Sequence, residues 1–154
     1  MDIENSLVRI VGVNTHGLKS NSVYIASLIE SNDIIFICEH WLSNAEKLIV
    51  AELTKPTHED FFTAAEKKLQ GRPYGGNCFL IRKNLLENTE IIYENENILA
   101  IQLQIGDLKL IVIGIYLSSY HDKTSIENYT DQLNNLSSII EMYLDESEIH
   151  ACFI

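Results

Sequence analysis

The sequence predicts a single α/β domain in which short apolar strands alternate with amphipathic helices. Three observations predict it: a strand–helix–strand unit near the start, an alternating hairpin in the middle, and a long amphipathic helix followed by an apolar segment. The 154 residues are enough for one domain with a real core, and 46% hydrophobic with 21% charged residues is a globular composition. We therefore expect one globular domain over residues 1–154.

The first unit is a βαβ crossover. LVRIVGVN (7–14) is β-branched and apolar, SVYIASLIES has helical periodicity with Ser22 as the expected N-cap, and IIFIC (34–38) is again a strand. A crossover of this length makes the two strands parallel. Asn14 and Glu39 then lie at the carboxyl ends of neighbouring strands, which is the edge where open α/β sheets bind ligands.

The next segment begins with a motif typical of a helix N-terminus. Ser43-x-x-Glu46 is a capping box and predicts a helix through about Leu53. DFFTA is a candidate short strand, GRPYGG (71–76) is turn chemistry, and NCFLI after it is a strand.

A hairpin and a long helix follow. IIYE, ILAIQLQI and LKLIVIGIY are strands, and Gly106-Asp107 separates the last two. Apolar and polar residues alternate in the second of them, which predicts an antiparallel hairpin with one half-exposed face. Thr124-x-x-Glu127 caps a long helix, and ACFI begins a further strand. The apolar positions of this helix are 129, 133, 136, 140 and 143/144.

Charge and residue spacing exclude several classes of protein. The net charge of −11, from 22 acidic and 11 basic residues, argues against a large nucleic-acid footprint, although a nuclease also needs acidic metal ligands. The isolated Cys38, Cys78 and Cys152 lie in apolar runs and indicate buried thiols rather than disulfides or a zinc site. No segment has the length of a membrane span, and the N-terminus lacks a signal peptide's basic flank, so we expect an intracellular protein.

Three segments together resemble a known superfamily. VNTHGL, IIFICEHWL and IVIGIYLSS, in this order, resemble the endonuclease/exonuclease/phosphatase superfamily, and EHWL followed by GRPYGG is most similar to the N-terminal part of a non-LTR retrotransposon endonuclease of apurinic type. The resemblance implies a four-layer α/β sandwich, with mixed sheets flanked by helices. It extends along the whole chain but reaches only the N-terminal part of the family domain, so we expect a truncated, incomplete domain.

The resemblance also implies an activity, a cofactor and site residues. The family hydrolyses phosphoesters with Mg²⁺ or Mn²⁺, and DNA is the expected substrate of the nuclease branch. Glu39 matches the metal-binding glutamate, Asn14 the asparagine that supports the site by hydrogen bonding, and Tyr116 the residue that touches the scissile phosphate. Read without the family, Glu39 is a strand end in solvent, Asn14 a turn residue before Gly17, and Tyr116 an aromatic residue closing a strand.

The neighbouring residues leave alternatives open. His16 stands where many nucleases have an acidic or neutral residue, which puts a second contact on the metal side in doubt. Trp41, after His40, is a packing lid or a base-stacking platform, with packing favoured. Arg72 is a solvated loop residue or a phosphate contact, with solvation favoured.

The family's general base is missing from this sequence. Its Gly-Asp-x-Asn motif should follow the strand that begins with ACFI, where the sequence stops. Gly106-Asp107-Leu108-Lys109 does not replace it, because it lies in a hairpin turn and has lysine in place of asparagine. We therefore expect the chain to be inactive or nearly so, and poorly stable.

Two other interpretations remain at this stage. The parent protein could be a phosphatase or phospholipase of the same superfamily, or the chain could be a degenerate or domesticated remnant that serves as an interaction module. A functional retrotransposon product would be nuclear and joined to a reverse transcriptase. The sequence gives no information on the oligomeric state.

Overall fold

The computed structural model describes residues 7–66, 70–117 and 123–143, together with the backbone of residues 149–153. Three α-helices and eight β-strands lie in these ranges. In chain order they are β1 Ile10–Asn14, α1 Ser22–Ser31, β2 Ile34–Cys38, α2 Lys47–Thr54, β3 His58–Thr63, β4 Asn77–Arg82, β5 Thr89–Glu94, β6 Ile98–Ile105, β7 Leu108–Ile115, α3 Lys123–Tyr143 and β8 Ile149–Phe153.

The strands form two mixed sheets of four. Their orders are β1-β2-β4-β3 and β5-β6-β7-β8. β1 and β2 are parallel as predicted, and Asn14 pairs with Cys38 at their carboxyl ends. β6 and β7 form the predicted antiparallel hairpin around the Gly106 turn, and β8 runs parallel to β7.

Three apolar clusters divide the protein into four layers. One lies between α1, α2 and the outer face of the first sheet, and it includes Ile25, Val50, Ile35 and Ile37. The second lies between the sheets, where the rings of Phe36 and Phe79 are 5.2 Å apart and pack with Leu99, Ile101 and Val112. The third joins α3 to the second sheet through Ile139, Ile98, Ala100 and Ile113. The predicted four-layer α/β sandwich is confirmed.

The capping box at the start of the second helical segment is also confirmed. The Glu46 carboxylate accepts hydrogen bonds from the Ser43 backbone N–H and hydroxyl, at 3.0 and 2.9 Å. The box opens a single 3₁₀ turn over 44–46, and α2 follows without a break.

The predicted cap of α1 is wrong. Ser22 is the first helical residue and Asn21 occupies the cap position, without a side-chain cap hydrogen bond. The Asn21 amide instead donates to the carbonyl oxygens of Thr15 and Gly17, at 2.8 and 3.2 Å. The asparagine therefore holds the loop after β1 and not the helix end. β1 also begins later than predicted, at Ile10.

The predicted inner face of α3 is partly wrong. Thr124 lies inside the helix, and Leu133 is 40% exposed. Gln132 is buried instead, because its amide nitrogen donates to the side-chain oxygen of Asn97 at 3.1 Å. Leu136 and Tyr143 do pack on the second sheet, as expected. Among the helices of the described ranges, none combines the length and the apolarity that crossing a membrane would need.

Candidate active site

The carboxyl ends of β1 and β2 continue side by side into the loops that follow them. The backbone N–H of Thr15 donates to the Cys38 carbonyl at 3.0 Å, and that of Gly17 to the Glu39 carbonyl at 2.8 Å. The buried hydroxyl of Thr15 lies 3.2 Å from the first of these oxygens and 3.1 Å from the second. The parallel pairing thus extends beyond the sheet and fixes Glu39 one residue past the Asn14–Cys38 pair.

The backbone at this edge adopts an uncommon conformation. Glu39, Trp41 and His16 have φ angles of 57°, 58° and 43°, and they are the non-glycine residues with positive φ in the described ranges. Such angles cost free energy for L-residues and persist where surrounding contacts impose them. Three of them at one sheet edge mark a turn that is held in place by its neighbours.

The Glu39 side chain is buried rather than solvent-facing, being 8% exposed. Its carboxylate accepts hydrogen bonds from the Trp41 indole N–H and from the Tyr116 hydroxyl. A buried carboxylate needs such donors, since desolvation of an unpaired charge is costly. The interpretation of Glu39 as a strand end in solvent is therefore wrong.

Tyr116 reaches this carboxylate from the other sheet, immediately after β7. Its backbone N–H donates to the Asn97 carbonyl at 2.8 Å, and the Asn97 side-chain amide donates to its own carbonyl at 3.0 Å. Burial, together with the neighbouring Glu39, raises the pKa of Tyr116 to about 12. The hydroxyl therefore stays protonated at neutral pH and acts as a hydrogen-bond donor.

Asn14 is exposed at the end of β1. Its side-chain oxygen accepts the His16 backbone N–H at 3.1 Å, which is an Asx turn. The turn interpretation of Asn14 thus describes a real contact. This turn uses only the side-chain oxygen of Asn14. None of the described residues accepts a hydrogen bond from the side-chain nitrogen.

His40 is a structural histidine. It is fully buried, its Nδ1 accepts the Leu42 N–H at 3.0 Å, and its Nε2 lies 3.0 Å from the Thr63 carbonyl. Its ring stacks on Phe62 with 4.6 Å between the centroids. Burial lowers the pKa of His40 to about 4, so the neutral ring, with its proton on Nε2, links the end of β2 to the end of β3.

Trp41 and Arg72 form a cation–π pair beside Glu39. The guanidinium carbon of the exposed Arg72 lies 3.9 Å from the centre of the half-buried Trp41 ring. The Trp41 backbone N–H donates to the Gly75 carbonyl at 3.1 Å, which ties the GRPYGG loop to this turn. Arg72 is thus an exposed loop residue, as favoured from the sequence, and one side of its guanidinium rests on an aromatic face.

An acidic cleft of about 650 Å³ adjoins Tyr116. It lies between the β3–β4 loop, the β5–β6 turn and α3, and its walls include Glu66, Glu96 and Asp131. A hydrogen bond with Glu66 raises the pKa of Glu96, and Tyr74 donates a hydrogen bond to Glu66. The negative charge of this side of the site repels phosphate and attracts cationic groups.

One buried carboxylate, that of Glu39, lies at the strand ends. In the part of the chain that the structure describes, no group of three or more His, Cys, Asp and Glu side chains could hold a metal ion. Glu39 is thus a single carboxylate, and Mg²⁺ commonly binds one or two carboxylates while it keeps several waters. A metal at this edge would depend on Glu39.

Sequence reasoning missed three residues that shape the site. Thr15 carries the hydroxyl that fixes the strand ends. A Cβ on Gly17 would lie 2.7 Å from the Trp41 ring, and one on Gly76 would lie 2.3 Å from the His40 ring. Both glycines are visible in the sequence, but only the tertiary contacts show which side chains they make room for.

Solved structures of DNA-processing enzymes share this fold. An AP endonuclease from Leishmania major matches with a TM-score of 0.70 and 10% identity, over 95% of this chain and 54% of that chain. A 3′ phosphatase from Neisseria, bound to a product DNA hairpin, gives a TM-score of 0.66 and 13% identity, over 96% and 57%. TDP2 from D. rerio, complexed with a single-strand DNA product, gives a TM-score of 0.63 and 20% identity, over 97% and 60%.

These matches confirm the predicted fold of the endonuclease/exonuclease/phosphatase type. The chain spans 54–60% of the length of these three proteins. No protein-family model and no curated protein matches the sequence.

Proposed function

We propose that this chain is the N-terminal part of a metal-dependent nuclease domain that hydrolyses DNA phosphodiesters. The observation that carries the proposal is the buried Glu39 carboxylate at the carboxyl end of a parallel strand, beside Asn14 and bonded to Tyr116. Two of the similar structures hold product DNA, and this supports the substrate class.

In this proposal three side chains have separate tasks. Glu39 holds Mg²⁺ or Mn²⁺, which when bound would neutralise charge on a phosphate oxygen. The Tyr116 hydroxyl, which its raised pKa keeps protonated, would release Glu39 and donate its one hydrogen bond to the phosphate. Asn14 positions the neighbouring contacts through an amide whose oxygen is already fixed by the His16 N–H.

The same residues do not include a good general base. His40 is neutral with both ring nitrogens engaged, and burial raises the pKa of the Cys38 thiol to about 11. The Tyr116 hydroxyl is too weak an acid to serve as a base at neutral pH. We therefore propose that these residues bind metal and phosphate, and that DNA nicking by this chain alone is very slow.

The retrotransposon-like origin belongs to the proposal as well. It is supported by EHWL and GRPYGG, which meet in the structure through the Trp41–Gly75 hydrogen bond. A nuclear location and a reverse transcriptase in the same polyprotein would follow from that origin.

Cation binding tests the proposal directly. Mg²⁺ and Mn²⁺ are titrated into wild type, Glu39→Gln and Glu30→Gln, and the heat of binding is followed. Glu30 is exposed on α1, so Glu30→Gln makes the same charge change away from the site. We expect binding to wild type and Glu30→Gln and its loss in Glu39→Gln. Equal binding by all three proteins, or no binding by a folded wild type, would refute the metal site.

A second candidate is an interaction module without catalysis. It is favoured by the acidic cleft beside Tyr116 and by the net charge of −11, both of which suit a basic protein partner better than DNA. The two functions differ in one measurable property. A folded chain that binds neither divalent cations nor DNA leaves the interaction module as the better account.

A DNA 3′ phosphatase is a variant of the first proposal. One of the similar structures is a 3′ phosphatase with bound product DNA, and the residues named here would contact a phosphate in a monoester or in a diester. Comparing cleavage of a 3′-phosphorylated oligonucleotide with that of an abasic duplex separates the two activities.

A further inference from the structure

We propose that Arg72, held on the face of Trp41, is a phosphate-binding residue that positions the DNA strand beside Glu39. This inference rests on the proposed nuclease function and deepens it. It assigns the phosphate contact to Arg72, which the sequence alone predicts to be a solvent-exposed loop residue.

The first support is the way Arg72 is held. Its guanidinium lies 3.9 Å from the Trp41 ring centre, and Trp41 is itself fixed by the hydrogen bond from its indole to Glu39. Stacking on an aromatic ring orients the guanidinium plane and leaves its edge N–H groups available. Those edges are the donors that bind a phosphate in a bidentate manner.

The second support is the anchoring of the loop that carries Arg72. The loop is tied to the Glu39 turn by hydrogen bonds from Trp41 N–H to Gly75 and from His40 N–H to Gly76, at 3.1 and 3.4 Å. A pair of backbone hydrogen bonds between Glu66 and Tyr74, at 2.9 and 3.1 Å, closes the base of the loop. Arg72 is therefore presented from a loop with fixed ends.

The third support is charge. Four cationic side chains form ion pairs with carboxylates: Lys19 with Glu46, Lys47 with Asp60, Arg82 with Asp33, and Lys83 with Glu59. Within the described ranges Arg72 forms no ion pair, so its charge is available to an outside anion. A free cation beside the site also answers the objection that a chain of net charge −11 is unsuited to DNA.

The charges near Glu39 indicate where a DNA strand could approach. The cleft beyond Tyr116 is lined by Glu66, Glu96 and Asp131 and repels phosphate. Trp41 and Arg72 are not among the residues that line this cleft, and their pair presents a cation near Glu39. A DNA backbone that reaches Glu39 is therefore expected to run over Arg72 and away from the acidic cleft.

A matched pair of arginine variants tests the inference. A fluorescein-labelled duplex oligonucleotide is titrated with wild type, Arg72→Gln, Arg72→Lys and Arg9→Gln in Mg²⁺, and binding is followed by anisotropy at several salt concentrations. Arg9 is also exposed, but it precedes β1 and so lies at the opposite end of the sheet from Asn14. Arg72→Gln and Arg9→Gln change the net charge equally.

We expect Arg72→Gln to weaken binding about tenfold and to reduce the salt dependence by about one released counterion. Arg72→Lys should recover only part of this loss, because lysine keeps the charge but lacks the planar fork. Arg9→Gln should bind within about twofold of wild type.

The outcomes separate this inference from the proposed function. If wild type binds the duplex and Arg72→Gln loses no more affinity than Arg9→Gln, the role of Arg72 is wrong and the nuclease proposal stands. If a folded wild type binds no DNA, both are wrong. The single tryptophan of the chain gives an independent readout, because a phosphate that contacts Arg72 should change Trp41 emission in wild type and not in Arg72→Gln.

Discussion

The buried histidine at the end of β2 makes a quantitative prediction about stability and pH. His40 is neutral in the folded protein, where burial lowers its pKa from 6.5 to about 4. In the unfolded chain the ring takes up a proton near its ordinary pKa. The unfolded state therefore binds more protons between these two values, and stability falls as the pH drops through that window.

The magnitude follows from the two pKa values. From pH 7 to pH 5 the His40 contribution to the free energy of unfolding decreases by about 2 kcal/mol, from the proton linkage of one group. Above about pH 6.5 nearly all of the His40 contribution to the free energy of unfolding is present. Its physical basis is the burial of the ring, which disfavours the protonated form.

The perturbation is His40→Asn. The asparagine oxygen can accept the Leu42 N–H, but the Thr63 carbonyl loses its partner and a small cavity forms, so we expect a loss of about 2 kcal/mol at pH 7. The variant has no ring to protonate, so the stability difference between the two proteins should nearly vanish at pH 5. Urea unfolding followed by circular dichroism at both pH values measures this difference.

The comparison isolates His40 from the other titrating groups. Burial also lowers the pKa of His58, but that residue is present in both proteins and its contribution cancels. His16→Asn, the same change at an exposed position, is the control and should alter stability at pH 7 by less than about 0.5 kcal/mol. A stability difference between wild type and His40→Asn that stays constant from pH 7 to pH 5 would refute the neutral, buried assignment.

Three further predictions concern the same edge of the protein and its support. Gly17→Ala should destabilise the fold by about 1–3 kcal/mol and shift Trp41 emission, because the new Cβ would lie 2.7 Å from the ring at a φ of +98°; unchanged emission would contradict the packing. Cys38 and Cys78 should resist alkylation until the protein unfolds, since both are buried and burial raises both pKa values; mass spectrometry showing fast labelling in native buffer would contradict this. Ser43→Ala should lower the free energy of unfolding by about 1 kcal/mol through loss of the capping box, and an unchanged thermal midpoint would refute that cap.

The features predicted well from the sequence are those set by local pattern and by chirality. The parallel β1–β2 pair follows from the crossover rule, and it brings Asn14 and the Glu39 turn to one edge, as the register shows. The capping box at Ser43 and the turn at Gly106 depend on neighbouring residues alone, and both were predicted correctly.

The features that were missed depend on contacts between distant segments. Apolar periodicity cannot show that Gln132 is buried, because the burial depends on a hydrogen bond to Asn97, 35 residues earlier. The Arg72–Trp41 stack similarly joins two loops that α2 and β3 separate in the sequence. Ser22 was predicted as a cap from its position, while Asn21 makes the contacts that organise the loop.

The most direct test of the central claim, that Glu39 holds a divalent cation, uses Mn²⁺ and the single tryptophan of the chain. Mn²⁺ is paramagnetic and quenches nearby fluorophores, and the Trp41 indole is hydrogen-bonded to the Glu39 carboxylate. We predict saturable quenching of Trp41 emission in wild type and in Glu30→Gln, reversed by excess Mg²⁺ and absent in Glu39→Gln. Quenching that does not saturate, or that is equal in Glu39→Gln, would contradict the metal site and the nuclease function built on it.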